Sequence, residues 1–167
     1  MSRHTPKVAL VPSGFFDAES AREILSRTVL LDVDDKIGYI SMPEFSAQLV
    51  YSFSHDAAAD PDVQSGSNDL LPELYNVLKA VAQVSDHNKI VASYGDEVLS
   101  LAIAQGENLL LANVFQAADF TTAEYFLFMA VRKLQLNPEV STVHFLTQLS
   151  ADEEMSLYRY FKSVEQP

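Results

Sequence analysis

The chain contains no cysteine, and that single absence removes thiol nucleophiles, disulfide frameworks, zinc ribbons and iron–sulfur clusters. Glycine is scarce as well: Gly14, Gly38, Gly66, Gly95 and Gly106 all stand alone. Phosphate loops bring backbone amides close to an anion through grouped glycines. With no Gly-Gly pair, no Gly-x-Gly and no Walker-type lysine, a conventional nucleotide site has no support in the sequence. Cations are outnumbered, eleven Lys and Arg against twenty-three Asp and Glu, for a formal charge of −12. A surface of that sign repels phosphate backbones and anionic headgroups, which argues against nucleic-acid and membrane partners. Long apolar runs are missing too. Val8 through Val11 is stopped by Pro12, too short for a signal h-region, and nothing approaches the roughly 20 apolar residues of a membrane span. A cytoplasmic location is the expectation.

What is present is a chain of 167 residues, 48% hydrophobic. A domain of that size buries roughly 70% of its unfolded surface and needs no metal or disulfide to fold. Residues 7–11, Lys-Val-Ala-Leu-Val, read as a buried strand closed by the turn Pro12-Ser13-Gly14. Asp17 stands where an N-cap belongs, and Ala21, Ile24 and Leu25 repeat at helical spacing as far as Arg27. Residues 29–33 and 37–42 flank the polar turn Asp34-Asp35-Lys36 and predict a hairpin, ended by Pro43. Phe45, Leu49, Val50 and Phe53 predict a helix over 44–53. Residues 54–68 hold one large apolar side chain, Val63, and predict a flexible acidic loop. Asp69 then caps a helix with Pro72 in its first turn and a stripe of Leu71, Leu74, Tyr75, Leu78, Val81 and Ala82.

The second half carries three strand patterns in succession, 89–94, 98–104 and 109–115, joined at Gly95-Asp96 and Gln105-Gly106-Glu107. Leu99, Leu101 and Ile103 alternate with Val98, Ser100 and Ala102, so one face of that sheet is large and the other small, and something packs against the small one. Thr121 with Glu124 reads as a capping box for a helix that is apolar nearly all round, Tyr125 to Val131. Asn137-Pro138 stops it. Residues 142–148 predict a fourth strand, and Ser150 with Glu153 a second capping box, for a last helix with Leu157, Phe161 and Val164 inward. Strand, strand, strand, helix, strand, helix is the order of a ribonuclease-H-like lobe, with a right-handed crossover if the fourth strand lies parallel to the first.

The segments Leu109-Leu110-Leu111-Ala112-Asn113-Val114-Phe115, Thr121-Thr122-Ala123-Glu124-Tyr125 and Leu134-Gln135-Leu136-Asn137-Pro138-Glu139, with the opening Ala9-Leu10-Val11-Pro12-Ser13-Gly14-Phe15-Phe16-Asp17, resemble an uncharacterised bacterial family, a domain of unknown function with an actin-like ATPase fold. The likeness runs from about residue 7 to 163. It implies an α/β (α+β) architecture with a mixed sheet and flanking helices: a partial first lobe over 1–53, the acidic loop 54–68, and a ribonuclease-H-like second lobe over 69–167. It also implies that the first lobe is incomplete, since members of that family carry a further β-meander and helix ahead of the strand at Val8. Nucleotide-binding residues of true actin-like ATPases do not show in the resemblance.

The chemistry is thin. An actin-like second lobe would place an Asp inside its first strand and a Gly-rich turn after it, whereas this chain has Ala92-Ser93-Tyr94-Gly95-Asp96. Ser93, Gly95 and Asp96 are therefore the candidates for ATP and Mg if the hairpin holds phosphate; the competing reading is an ordinary turn. A ribonuclease-H-like nuclease needs carboxylates converging on two metals, but strand one has none, strand four ends in Gln148-Leu149, and Glu124 is assigned to a cap. Asp32, Asp34 and Asp35 imitate a calcium loop and fail at Lys36, Ile37 and Pro43. His4, His55, His87 and His144 have no ligand partner at helical spacing. Ser54-His55-Asp56 are contiguous, whereas a triad converges from distant segments. Ser13 lacks a nucleophile elbow, and His144 reads as a hydrogen-bonded sheet histidine. No catalytic residue, metal ligand or resident cofactor is expected. Tyr158, Arg159, Tyr160 and Lys162 give the last helix aromatic and cationic side chains on several faces, the composition of an interface. The first reading is a non-catalytic interaction or scaffold module that binds a protein partner or itself, as a homodimer; the alternative is an unconventional ATP-binding protein.

Overall fold

A computed structural model describes residues 1–53 and 70–167. The expected acidic loop, the Asp69 cap and the Ser54-His55-Asp56 triplet lie outside the described residues. Short β1 (Ser2–Arg3) is followed by β2 (Val8–Pro12), α1 (Ala21–Ser26), β3 (Ile37–Met42) and β4 (Ala47–Ser52). After residue 70 come β5 (Leu71–Pro72), α2 (Glu73–Gln83), β6 (Asn88–Gly95), β7 (Val98–Gln105), β8 (Asn108–Gln116), α3 (Phe120–Lys133), β9 (Thr142–Phe145), α4 (Ala151–Tyr158) and β10 (Ser163–Glu165).

The first sheet is antiparallel with the order β2-β4-β3. Its centre, β4, occupies the segment whose spacing predicts a helix. Leu49 and Val50 are neighbours and both fully buried: Leu49 packs toward α2, Val50 toward Leu25 and Ala21 of α1. A strand covered on both faces loses its alternation, and the leftover spacing imitates a helix. The hairpin of this lobe is β3–β4, turned by a 3₁₀ segment Pro43–Phe45 and Ser46 at φ 50°, and not the pair 29–33 with 37–42. Leu30 and Val33 are each 93% exposed. The aspartates after them belong to a loop pinned from outside: Lys7 Nζ donates to Asp35 at 2.5 Å and to Asp32 at 3.1 Å, and Arg22 donates to the Asp32 and Asp35 carbonyls. The Lys7 ammonium beside it holds the Asp35 carboxyl below its ordinary range. Asp17 does cap, accepting from the Glu19 amide, but it caps a 3₁₀ turn that leads into the six-residue α1.

The second sheet has the order β10-β9-β6-β7-β8. β6, β7 and β8 form the expected meander, and β9 runs parallel to β6, pairing Val143 with Ile90. α2 packs on the small-residue face through Leu74, Val77, Leu78 and Val81 against Val91, Ala102 and Ala104. Alanines there let a helix backbone sit close. The same core cluster includes Val8, Met42 and Leu49, so α2 is shared between the two sheets. On the opposite face Ile90, Leu99, Leu101 and Ile103 meet Leu127 and Val131 of α3 and Leu157 of α4.

Two end signals in this half differ from the sequence reading. The N-cap of α3 is Asp119, whose carboxylate accepts from the Thr122 amide at 2.8 Å. The Thr121–Glu124 box is therefore not formed, and Glu124 Oε2 instead accepts from Ser156 Oγ of α4 at 3.0 Å. The helix starts a residue before Thr121 because Asp119 is already a competent cap. Val164 lies on β10, parallel to β9, rather than on the last helix. The box of Ser150 and Glu153 is present on α4. Among the described residues no helix is long and apolar enough to cross a membrane.

Candidate functional site

Two places gather the residues singled out by sequence. The first is the β6–β7 hairpin, where Gly95 pairs with Val98 and both turn residues, Asp96 and Glu97, have positive φ, 50° and 58°. That is the backbone of a tight primed hairpin. Gly95 is closely approached from outside: a Cβ there would lie 2.7 Å from His4 Nε2, so the imidazole would have to shift. The imidazole is laid over the turn by its anchored neighbours. β1 pairs in parallel with β5, and Thr5 Oγ1 donates to the Ser52 carbonyl at 2.7 Å.

Ser93 faces the seam between the sheets, and its hydroxyl donates to Glu73 Oε1 at 2.9 Å. Glu73 also accepts from Ser2 Oγ at 2.6 Å and from Asn76 Nδ2 at 3.1 Å, so three donors use its carboxylate in the first turn of α2. Burial pushes the His4 imidazole below its ordinary value, against the pull of Glu73 and Asp96. His4 Nδ1 and the hydroxyl of Ser100, the register partner of Ser93, are buried without a hydrogen-bond partner among the described residues. ATP does not suit this donor set. The glycine surface is covered by His4, the Ser93 hydroxyl is spent on Glu73, and the turn itself presents Asp96 and Glu97.

The second place is the outer side of α3 and α4. Two contacts tie α3 to α4 and to the turn after it: Glu124 with Ser156 of α4, then Phe128 with Tyr160, ring centroids 4.4 Å apart, backed by Phe128 on Phe161 at 5.6 Å. The last helix ends at Tyr158, so Arg159, Tyr160 and Lys162, expected on it, lie in that turn. Beyond the second contact opens a groove of about 590 Å³ bounded by Phe128, Val131, Arg132, Leu136, Pro138 and Tyr160. Tyr158 and Tyr160 are each about half exposed. Tyr158 reaches back to the Val164 carbonyl at 3.4 Å, while Tyr160 walls the groove. Arg159 and Lys162 are exposed, as are Arg132 and Lys133 in the last turn of α3. Among the described residues none of these four cations has a carboxylate within ion-pair distance.

His144 is tied on both sides, to Asp86 at 3.2 Å and Glu165 at 3.1 Å, the role of a sheet histidine. In the sequence His4 is weighed only as a metal ligand, and Glu73, Phe128 and Arg132 carry no site signal. Each looks ordinary in its own segment, a terminal residue, a first-turn acid and two helix positions, and only the tertiary fold brings them to a site.

A solved structure from Bacteroides thetaiotaomicron, described as a protein with actin-like ATPase fold and unknown function, superposes on 99% of this chain with a TM-score of 0.78 at 16% identity. The chain spans about two thirds of that neighbour, 66% of its length, and the likeness establishes the fold as actin-like. No curated protein matches the chain. A family model matches residues 3–164, nearly all of the sequence, and the chain belongs to the family described as Protein of unknown function (DUF3822).

Proposed function

We propose that the chain is a non-catalytic protein-interaction module, an actin-like scaffold that docks a protein, either another chain or a second copy of itself, through the outer face of α3 and α4. One observation carries this reading. Tyr125, Met129, Met155 and Tyr158 on these two helices, with Tyr160 just past the end of α4, stand 39–64% exposed, beside a groove lined by Arg132, which has no ion pair among the described residues, in a protein of net charge −12. Aromatics and Arg are the residues that interfaces concentrate. The β6–β7 hairpin supports the same reading, because its glycine and serine serve the chain's own His4 and Glu73.

Thermal melting with and without millimolar ATP and magnesium tests the choice between scaffold and nucleotide binder. A ligand at a hundred times its Kd adds about 2.7 kcal/mol and moves the midpoint of a domain of this size by about 2–4 °C or more. The scaffold reading expects no shift. A reproducible rise that is lost in a folded Gly95→Val protein would put nucleotide back at the hairpin.

A further inference from the structure

Arg132 lines the groove, and three more of the eleven Lys and Arg of the chain are exposed at positions adjoining its lining: Lys133 follows Arg132, Arg159 precedes Tyr160, and Lys162 donates its amide to the Pro138 carbonyl. Inside this cationic rim the floor and walls are apolar and aromatic. An occupant that suits both must bring carboxylates set around an apolar tip, since burying the tip gains the hydrophobic term and the rim contacts add charge complementarity. The acids nearby do not neutralise the rim: Glu124 accepts from Ser156, and Glu139 forms no ion pair among the described residues.

The matching element is on the chain itself. The first turn of α4 carries Asp152, Glu153 and Glu154, followed by Met155, which is 64% exposed. Glu153 is used by the capping box, where it accepts from the Ser150 amide at 2.8 Å. Asp152 and Glu154 are left to face outward. The box also fixes the backbone of the turn, so little order has to be gained on docking. Methionine is unbranched and polarisable, suited to an apolar groove lined by Phe128, Val131, Leu136 and Tyr160. The other acid-rich stretch, 54–68, has only Val63 as a large apolar side chain and offers a poor anchor.

We propose that the groove receives the acidic first turn of α4, with Met155 as its apolar anchor, from a second copy of this chain. This rests on the reading of the α3–α4 face as a docking surface. The acidic turn begins α4 and the cationic rim lies beyond its C-terminal end, so one copy cannot satisfy itself. A contact between two different patches is heterologous, leaves one patch free at each end and continues by addition. Repulsion between copies of charge −12 is screened beyond about 8 Å at physiological salt, which leaves the short-range contacts in control.

Sedimentation equilibrium of the full chain decides it, run up to roughly 200 µM in about 0.15 M salt. The wild type is expected to exceed the mass of a dimer as concentration rises. Two variants block one patch each, all at exposed or half-exposed positions: Arg132→Glu with Lys162→Glu in the groove, and Asp152→Asn, Glu154→Gln with Met155→Ser on the turn. Each alone is expected to stay monomeric with an unchanged melting point, and their equimolar mixture to stop at a one-to-one pair. A wild type that stays monomeric, or a groove variant that associates as well as wild type, overturns the proposal. A labelled peptide of residues 150–158 separates the two levels. If it binds the wild type and loses about tenfold or more on the groove variant while the chain does not self-associate, the second copy is wrong and the docking face stands. If neither binds, both readings fall.

Discussion

At the scale of single residues, His4 and Gly95 make a close contact that ties the N-terminal segment to the β6–β7 turn. An imidazole lies where a Cβ would be, a packing demand unconnected with phosphate. Gly95→Ala is therefore expected to cost about 1–3 kcal/mol through overpacking. His4→Ala frees that space, so the double variant should be less destabilised than the sum of the two single ones, a coupling that a urea-denaturation cycle reads directly. Additive costs would place the ring elsewhere. The same pair shows why this site was opaque in the sequence. Ser93, Gly95 and Asp96 could be picked out as a hairpin, but nothing in the pattern of residues 1–5 announces that His4 closes over it.

At the scale of elements, helix starts separate two sequence signals that compete within three residues. Asp119 caps α3, and its hydrogen bonds from Thr122 hold its carboxyl below the ordinary range. Asp119→Ala should cost about 1 kcal/mol, while Thr121→Ala should change stability by only a few tenths. Chemical denaturation of the two variants checks the assignment, and the reverse order would restore the Thr121–Glu124 box. Elements with local causes were legible: the β6–β7–β8 meander with its turn glycines, the Ser150–Glu153 box and the strand at Val8. Elements with tertiary causes were not. β4 lost its period because both its faces are covered, and three-residue β10 exists only because β9 offers it an edge. The groove was half legible: Tyr160 and Lys162 stand out in the sequence, though they fall in the turn after α4 and not on the helix expected there, whereas Phe128 and Arg132 are hidden in a helix that reads as uniformly apolar.

For the whole molecule, the N-terminal segment ties the first sheet to the second, and His4 makes that tie depend on pH. Its folded-state pKa lies below the ordinary 6.5 because burial disfavours the charged ring. The unfolded chain therefore takes up a proton that the folded chain refuses. The contribution of this group to stability is fully present above about pH 6.5 and is lost as pH falls below it toward the folded value. Unfolding free energies for wild type and His4→Asn between about pH 5 and 7 should diverge in slope, with the wild type the steeper. Equal slopes would remove His4 from the seam.

One strand governs what heat or denaturant must do to this architecture. From Val98 to Ala104 every residue of β7 is buried, with β6 and β8 on its flanks, α2 over one face and α3 over the other. No partial opening of one sheet or one helix gives solvent access to all of that strand. Its amides are the last to trade their hydrogens for those of water, and their exchange reads out the free energy of global unfolding.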